Sequence, residues 1–230
     1  MIYACYVLYN EVEEIADSLR SINGFADRYI FIDGAFEGHP LAKGSATSTD
    51  GTIRLLESLI AEEKRTIVTT ETAWRTQTEA RNQYLRLLPL GSWAFIIDAD
   101  EMLHGDREAA KRQILTAQST VLGILIESLA PTWHGSGATI PRELWPSLPK
   151  CPIFGYSPRF YRSSGKLAYR NGHSCLWDGD RMIAANQGQL IETGNIIRSV
   201  RIVNDMTRQS WERYQEGITY RRSAARQRGE

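Results

Sequence analysis

Residues 2–34 read IYACYVLYNEVEEIADSLRSINGFADRYIFIDG, and three segments of this stretch predict regular structure. Its first part, residues 2–9, is an unbroken apolar and aromatic run whose length suits a β-strand buried on both faces. Apolar residues then recur at helical spacing as far as Ile22, and a second apolar run at residues 29–32 ends at Asp33. A strand, a helix and a strand within about 30 residues predict a right-handed βαβ unit with parallel strands.

The same two periodicities continue beyond this unit. Apolar runs predict strands at residues 66–70, 93–97 and 121–126, and helical spacing predicts helices from Thr52 onward and at residues 79–88, 109–117 and 211–228. This alternation predicts an α/β, Rossmann-like fold, in which a mostly parallel central sheet is flanked by helices. Residues 131–158 hold six of the eight prolines, which predicts a loop-rich carboxyl-terminal region.

Composition narrows the class of protein. Of the 230 residues, 42% are hydrophobic and 23% are charged, so that a full core can form, and the formal net charge is zero. A neutral chain is not, as a whole, an electrostatic binder of nucleic acid. The charge is uneven, however: residues 198–230 carry eight arginines and four acids, which suits a phosphate-bearing partner or a solvated helix face.

The cysteines and the apolar segments bear on location. Cys5, Cys151 and Cys175 show no Cys-x-x-Cys spacing, which argues against a disulfide framework and against a zinc site. No segment approaches the ~20 apolar residues that span a bilayer, and Met1 runs straight into a strand without a signal sequence. We therefore expect a reducing, cytoplasmic location and no integral membrane segment.

Three polar clusters follow predicted strands: Asn10-Glu11, Asp33-Gly34 and Asp98-Ala99-Asp100-Glu101. The carboxyl ends of parallel strands meet at one edge of an open sheet, where such folds bind ligands. Crowded carboxylates repel each other unless a cation or hydrogen-bond donors offset them. Asp98 and Asp100 could both approach one Mg²⁺ or Mn²⁺ ion, since these ions prefer hard oxygen ligands. The alternative is a capped turn in which Asp100 begins a helix.

The order of these clusters resembles the amino-terminal half of family 2 glycosyltransferases, which have the GT-A fold. The resemblance covers about residues 1–105 and includes two further motifs, Ser48-Thr49-Asp50-Gly51-Thr52 and Glu79-Ala80-Arg81-Asn82. This chain departs from the family pattern at residues 35–47, which separate Asp33-Gly34 from the motif around Asp50.

The resemblance implies transfer of a sugar from a nucleoside diphosphate donor, above all a UDP-sugar, with Mn²⁺ or Mg²⁺ as cofactor. Asp33 would hold the base or ribose of the donor, and Asn10, Glu11 and Asp50 would also bind the donor. Asn10 and Glu11 could in addition cap the first helix.

The remaining donor-side roles fall on three residues. Asp98 would contact the ribose or the metal and so take part in catalysis, and Asp100 would ligate the metal directly. Arg81 would lie near the phosphates or the sugar, where its planar guanidinium suits phosphate oxygens.

The carboxyl half carries a weaker resemblance. The segments Ser157-Pro158-Arg159-Phe160-Tyr161-Arg162 and Tyr169-Arg170-Asn171-Gly172-His173 resemble a stretch that ends in histidine in several family 2 enzymes. His173 is therefore a candidate third metal ligand, since imidazole suits Mn²⁺. Ser174 follows it, where the family often has Glu.

An inverting mechanism needs a base that removes the proton of the acceptor. Glu127 ends a predicted strand and is the candidate, with Asp178 and Asp180 as alternatives. Trp74, Trp133 and Trp145 lie in or beside loops, where an indole ring either stacks on a sugar or packs in the core.

By this interpretation, residues 1–128 bind the nucleotide-sugar, residues 129–197 form the acceptor side of the same domain, and residues 198–230 form an arginine-rich helical tail. A protein side chain, a glycan, a lipid-linked sugar or a modified DNA base could each be the acceptor. Two other functions stay open: a nucleotidyltransferase, and a non-catalytic binding module of the same fold. Against the nucleotidyltransferase, the first strand is not followed by a glycine-rich loop bearing Lys or Arg.

Overall fold

A computed structural model describes residues 1–37, 45–131, 150–170, 175–185 and 196–205 of the chain. Within these ranges, no helix has the length and apolar character that crossing a membrane requires. The helix predicted at residues 211–228 lies outside the described residues.

The amino-terminal half alternates strands with helices, as the sequence predicts. Its strands are β1 (Ile2–Leu8), β2 (Arg28–Asp33), β3 (Arg65–Val68) and β4 (Trp93–Ile96). Its helices are α1 (Ile15–Ser21), α2 (Thr52–Leu59) and α3 (Gln77–Leu87), and a single 3₁₀ turn at Glu62–Lys64 precedes β3.

The second half is dominated by strands. It contains β5 (Glu101–Gly105), α4 (Arg107–Thr116), β6 (Val121–Pro131), β7 (Lys150–Arg162), β8 (Leu167–Tyr169), β9 (Cys175–Asp178), β10 (Arg181–Ala185) and β11 (Ile196–Asp205). The described part after residue 150 is therefore built of strands more than of loops. Because β11 crosses position 198, the predicted boundary there divides a strand, and residues 198–205 are not helical.

The central sheet has the strand order β3-β2-β1-β4-β7-β6-β11-β5. Among these described strands, β5 and β7 run against the other six, so that the sheet is mostly parallel. A smaller antiparallel sheet has the order β10-β9-β8. The predicted fold class, an α/β fold with a mostly parallel central sheet flanked by helices, is confirmed.

The core lies on both faces of the central sheet. Along β1, Ala4 and Tyr6 pack on the face covered by α1, α2 and α4, whereas Tyr3 and Cys5 pack on the face covered by α3 and the smaller sheet. Alternate side chains of a strand point to opposite faces, so a strand covered on both sides must be apolar throughout. The unbroken apolar run of residues 2–9 is explained by this double burial.

Phe95 on β4 tests the packing of the sheet core. Its side chain is fully buried and stacks on Phe160 of β7, with ring centroids 4.5 Å apart. Phe95→Ala should lower the free energy of unfolding by about 3–5 kcal/mol, because lost burial and a new cavity both destabilise the fold. Urea unfolding measures this change. Leu90→Ala, at a side chain that is 78% exposed, should change it by less than about 0.5 kcal/mol. Equal effects of the two substitutions would contradict the packing described.

Candidate functional site

The carboxyl ends of β2, β1 and β4 form one edge of the central sheet, which we call the carboxyl rim. β1 pairs in parallel with β2 on one side and with β4 on the other. Strand order therefore reverses direction at β1, and open α/β sheets bind ligands in the crevice at such a switch point. Asn10 follows β1, Asp33 ends β2 and Asp98 follows β4. The predicted meeting of three polar strand ends is confirmed.

Asp33 anchors a loop at this rim. Its fully buried carboxylate accepts hydrogen bonds from the backbone N of Ser48 (3.0 Å) and from the Ser48 hydroxyl. Burial raises the pKa of Asp33, and the bonds from Ser48 oppose that rise. Asn10 also holds the loop, since its Oδ1 accepts from Thr49 N (2.8 Å) and its N donates to Ser48 Oγ (2.7 Å). Asp33 and Asn10 thus both help to position residues 48–52.

The insertion at residues 35–47 does not move this motif away from the rim. Ala35 N donates to the carbonyl of Ala46 (2.9 Å), so that the insertion leaves and rejoins the rim at nearly the same point. Gly34 makes the close approach possible: a Cβ there would lie 2.6 Å from Thr70 Cγ2 and 2.8 Å from Trp74 Nε1. Trp74 therefore lines the rim beside Asp33, while Trp133 and Trp145 lie outside the described residues.

Asp50 fastens α2 to the segment after β1. Its Oδ1 accepts from Thr52 N (2.9 Å) and Thr52 Oγ1 (2.6 Å), and its Oδ2 accepts from Val12 N (3.0 Å). Thr52 Oγ1 in turn accepts from Glu11 N (2.8 Å). Both oxygens of Asp50 are thus engaged within the protein, and its predicted contact with the donor stays a prediction.

Helix α3 carries Arg81 to the rim. The helix starts at the cap residue Thr76, whose side chain accepts from Glu79 N (3.1 Å). One turn farther on, the Asn82 amide accepts from Tyr169 N (2.7 Å) and donates to Tyr169 O (3.1 Å), which ties β8 to α3. This tie fixes the side of α3 on which Arg81 lies.

Arg81 lies against Asp98. Its guanidinium carbon is 5.8 Å from the centroid of the Tyr169 ring, and its Nη2 is 3.5 Å from Asp98 Oδ1. The Arg81 side chain is mostly buried, whereas that of Asp98 is 42% exposed and therefore open to a ligand. The structure brings these two predicted donor-side residues together.

Glu101 closes the turn that carries Asp98. Its Oε2 accepts from Asp98 N (3.0 Å), and its own N donates to the Asp98 carbonyl (3.1 Å). Its other carboxylate oxygen pairs with the guanidinium of Arg159 on β7. Arg159 also donates to the carbonyl of Ile96 (3.4 Å), at the end of β4. These contacts fix the backbone of residues 98–101.

The carboxylates of Glu101 and Asp98 lie in different electrostatic surroundings. Burial raises the pKa of Glu101, and the adjacent positive charge of Arg159 opposes that rise and favours the ionised carboxylate. Asp98 lies within reach of two guanidinium groups, since Arg159 Nη1 is 3.8 Å from Asp98 Oδ2 in addition to the contact with Arg81. Two nearby positive charges disfavour a divalent cation at Asp98. Asp98 is therefore better suited to accept hydroxyl groups than to bind metal.

Asp100 has different surroundings. Its Oδ2 accepts from the side-chain Nδ2 of Asn204 on β11 (3.4 Å), and the Asn204 Oδ1 is buried without a hydrogen-bond partner among the described residues. Mg²⁺ and Mn²⁺ are bound by one or two carboxylates with further hard oxygens, often from phosphates. A carboxylate beside an asparagine amide whose oxygen is unused fits such an ion if the amide turns its oxygen toward Asp100.

Carboxylates and histidines alone do not complete a metal site here. Across the ranges that the structure describes, no three His, Cys, Asp or Glu side chains gather in a set that could hold an ion. His173, the predicted third ligand, lies outside these ranges. The metal prediction for Asp98, Asp100 and His173 therefore stays a prediction.

Glu127 is engaged by Arg201, on the opposite sheet face from Asn204. Its Oε2 is 2.8 Å from Arg201 Nε, and it pairs with Val203 in the sheet, one position from the pair of Asn204 with Ser128. Neighbouring pairs point to opposite faces, so Glu127 lies on the face opposite Asn204. Arg201 also lines a cavity of about 220 Å³, together with His104 of β5 and other residues of β11.

The alternative bases are also engaged. Asp178 accepts from Ser164 Oγ (2.5 Å), and Asp180 lies 3.6 Å from Arg170. Asp178 ends β9 of the smaller sheet, and Asp180 lies in the turn between β9 and β10.

Three residues contribute contacts to the site that the sequence did not predict: Glu101 and Arg159, which stand within the quoted motifs without a role of their own, and Asn204. Glu101 directly follows the Asp-x-Asp motif, and a carboxylate there could have been examined for a buried partner. Nothing local identifies that partner, because Arg159 is 58 positions away and Asn204 is 104 positions from Asp100.

Comparison with known proteins gives distant likenesses among solved structures. No protein-family model matches the chain, and no curated protein matches it. Among solved structures, S. aureus TarS, a glycosyltransferase, shares 19% identity at a TM-score of 0.43, covering 61% of this chain and 38% of that chain. A complex of S. aureus TarS with UDP shares 18% identity at a TM-score of 0.44, with the same coverage. The chain thus spans little more than a third of the length of these TarS chains.

A third likeness is to Francisella tularensis 2-C-methyl-D-erythritol 4-phosphate cytidylyltransferase. It shares 7% identity at a TM-score of 0.37, covering 72% of this chain and 73% of that chain. Likenesses at this level carry no argument about function, which depends on the site itself.

The ion pair of Glu101 and Arg159 gives a stability prediction. Either Glu101→Gln or Arg159→Met should lower the free energy of unfolding by about 3–5 kcal/mol, because each leaves a buried group without its partner. The double variant should lose clearly less than the sum of the two, as urea unfolding in a double-mutant cycle measures. Arg20→Met is the matched control: it breaks an exposed pair with Asp17 and should cost at most about 1 kcal/mol. Additive losses would show that the buried pair does not act as a unit.

Asp50 gives a prediction about acid. Burial tends to raise its pKa, but the hydrogen bonds from Thr52 and from the backbone of Val12 outweigh burial, so that the pKa lies below 3.8. The unfolded chain then binds a proton more readily, and the stabilisation by Asp50 is full above about pH 4 and is lost as the pH falls below it.

Unfolding free energies of the wild type and Asp50→Asn should therefore differ most at pH 6–7 and converge toward pH 3. Urea titrations across this range make the comparison, with Asp17→Asn, at an exposed side chain, as the control. A difference that is constant with pH would contradict the account.

Proposed function

We propose that this protein is a metal-dependent glycosyltransferase that moves a sugar from a nucleoside diphosphate donor, first of all a UDP-sugar, to an acceptor. One observation carries the proposal: the ends of three adjacent parallel strands bring Asn10, Asp33 and Asp98 to one rim, at the switch point of the sheet. The order of motifs along the chain, which resembles family 2 glycosyltransferases, supports the same activity.

Each of the rim residues would contact a different part of the donor. Asp98 keeps an accessible carboxylate beside Arg81 and Arg159, which suits acceptance of ribose hydroxyl groups. Arg81 presents a guanidinium near the same point and would face the diphosphate. Asp33, Asn10 and the motif that they anchor would line the base side of the pocket.

Asp100 would hold the divalent cation, with the diphosphate supplying further oxygens. A bound Mn²⁺ or Mg²⁺ neutralises charge on a departing nucleoside diphosphate. The turn that presents Asp100 is held from within the protein by Glu101 and Arg159, so the carboxylate is positioned before any ligand arrives.

The base that activates the acceptor remains a prediction. An inverting transfer needs a carboxylate opposite the leaving group. Glu127 is the predicted residue, and to act it would have to leave Arg201 and reach the rim from the other sheet face.

A donor panel tests the proposal. The purified chain is incubated with UDP-, GDP- and ADP-sugars, with and without Mn²⁺, and the release of free nucleoside diphosphate is followed by mass spectrometry. We expect metal-dependent release from one class of donor, and a loss of at least about 100-fold in Asp100→Ala, because the charge that develops on the leaving group is then not neutralised. Asp17→Asn should retain full activity.

Two outcomes would contradict the proposal. Release of pyrophosphate from a nucleoside triphosphate, with no reaction of the sugar donors, would favour a nucleotidyltransferase. Tight binding of a nucleotide-sugar without turnover, across many acceptors, would favour a binding module.

A further inference from the structure

Asn204 reaches the carboxyl rim from the far half of the sheet. It lies near the end of β11, a strand that runs in the same direction as β1, β2 and β4. In the sheet it pairs with Glu101, at the start of β5. Two chain segments far apart in sequence thus place Asn204 beside the Asp98–Asp100 turn.

The nitrogen of the Asn204 amide has a hydrogen-bond partner among the described residues, whereas its oxygen has none. Its Nδ2 donates to Asp100 Oδ2 at 3.4 Å, which is long for a hydrogen bond between a neutral donor and a carboxylate. Its Oδ1 is buried and accepts no hydrogen bond from the described residues. A buried carbonyl oxygen without a donor is destabilising unless another group satisfies it.

A hard cation would satisfy this oxygen. Amide carbonyl oxygens belong with carboxylates among the ligands that Mg²⁺ and Mn²⁺ accept, whereas an N–H group cannot bind a cation. The positive charges of Arg81 and Arg159 surround Asp98 and would keep a cation on the Asp100 side of the turn, which is where Asn204 lies.

We propose that the side-chain oxygen of Asn204 is a ligand of the divalent cation held by Asp100, so that β11 completes the metal site. Asp100 and the Asn204 oxygen would together hold the cation, once the amide turns so that its oxygen replaces the Nδ2 that faces Asp100. The ion would supply positive charge to the diphosphate of the donor. The role in catalysis rests on the proposed function, but the binding of the ion can be measured without turnover.

The test is a Mn²⁺ titration followed by the loss of the free-ion signal in electron paramagnetic resonance, first with Mn²⁺ alone and then with UDP present. Wild type is compared with Asn204→Ala, which removes the oxygen, and with Asn204→Asp, which keeps an oxygen and removes the N–H. Asn23→Ala, at an exposed asparagine after α1, is the matched control. Circular dichroism and thermal unfolding check that each variant is folded.

We expect Asn204→Ala to raise the Kd for Mn²⁺ at least about tenfold, and Asn204→Asp to bind as tightly as the wild type or more tightly. Asn23→Ala should leave the Kd unchanged. Wild-type affinity in Asn204→Ala would overturn the proposal. So would a loss in Asn204→Asp equal to that in Asn204→Ala, because Asn204 would then act only as an N–H donor to Asp100.

The two proposals fail in different ways. Mn²⁺ binding that depends on Asn204, without any binding of UDP, would support the metal site and count against the glycosyltransferase. Mn²⁺-dependent binding of UDP that is unchanged in Asn204→Ala would leave the proposed function standing and overturn the role of Asn204. Absence of Mn²⁺ binding by the wild type, with and without UDP, would overturn both.

Discussion

The parallel pairing of β1 with β2 on one side and β4 on the other is the constraint on which the candidate site depends. Three adjacent parallel strands end at the same edge of the sheet. The polar residues that follow them are therefore close together in space. These strands are apolar because both of their faces are buried. Polar residues therefore begin only where the strands end, at the carboxyl rim. Fold and site therefore follow from the same pattern of residues.

The repulsion between carboxylates at this edge is offset by a different set of contacts at each position. Asp33 is held by Ser48, and Asp50 by the backbone of Val12 and by Thr52. Asp98 faces two guanidinium groups, and Glu101 shares one of them. These contacts hold the rim side chains from within the protein, and electrostatic stabilisation of a reacting group is most effective when it is arranged in advance.

Much of this arrangement could be read from the sequence because it is local. The strands β1, β2 and β4 are apolar runs bounded by polar residues, and the motifs at Asn10, Asp33 and Asp98 stand directly after them. Helix α3 was predicted as well, within two residues at its start.

The rest depends on contacts that no local pattern carries. β5 follows the Asp-x-Asp motif and contains Glu, His and Gly, so that it lacks a clear apolar run. β11 pairs between β5 and β6 and brings Asn204 to a turn that is 104 positions away. Arg159 lies in β7, and its partner Glu101 becomes evident only when β7 is set beside β4. The sheet face that Glu127 occupies also depends on register, which the apolar run of residues 121–126 does not give.

The most direct measurement is a crystal structure of the chain with UDP and Mn²⁺, using the anomalous scattering of manganese to locate the ion. The account predicts an anomalous peak at coordination distance from an Asp100 oxygen, with the diphosphate beside the ion, the ribose at Asp98, and the uracil beside Asp33 and Asn10. A nucleotide bound elsewhere on the molecule, or a manganese peak away from the carboxyl rim, would contradict it.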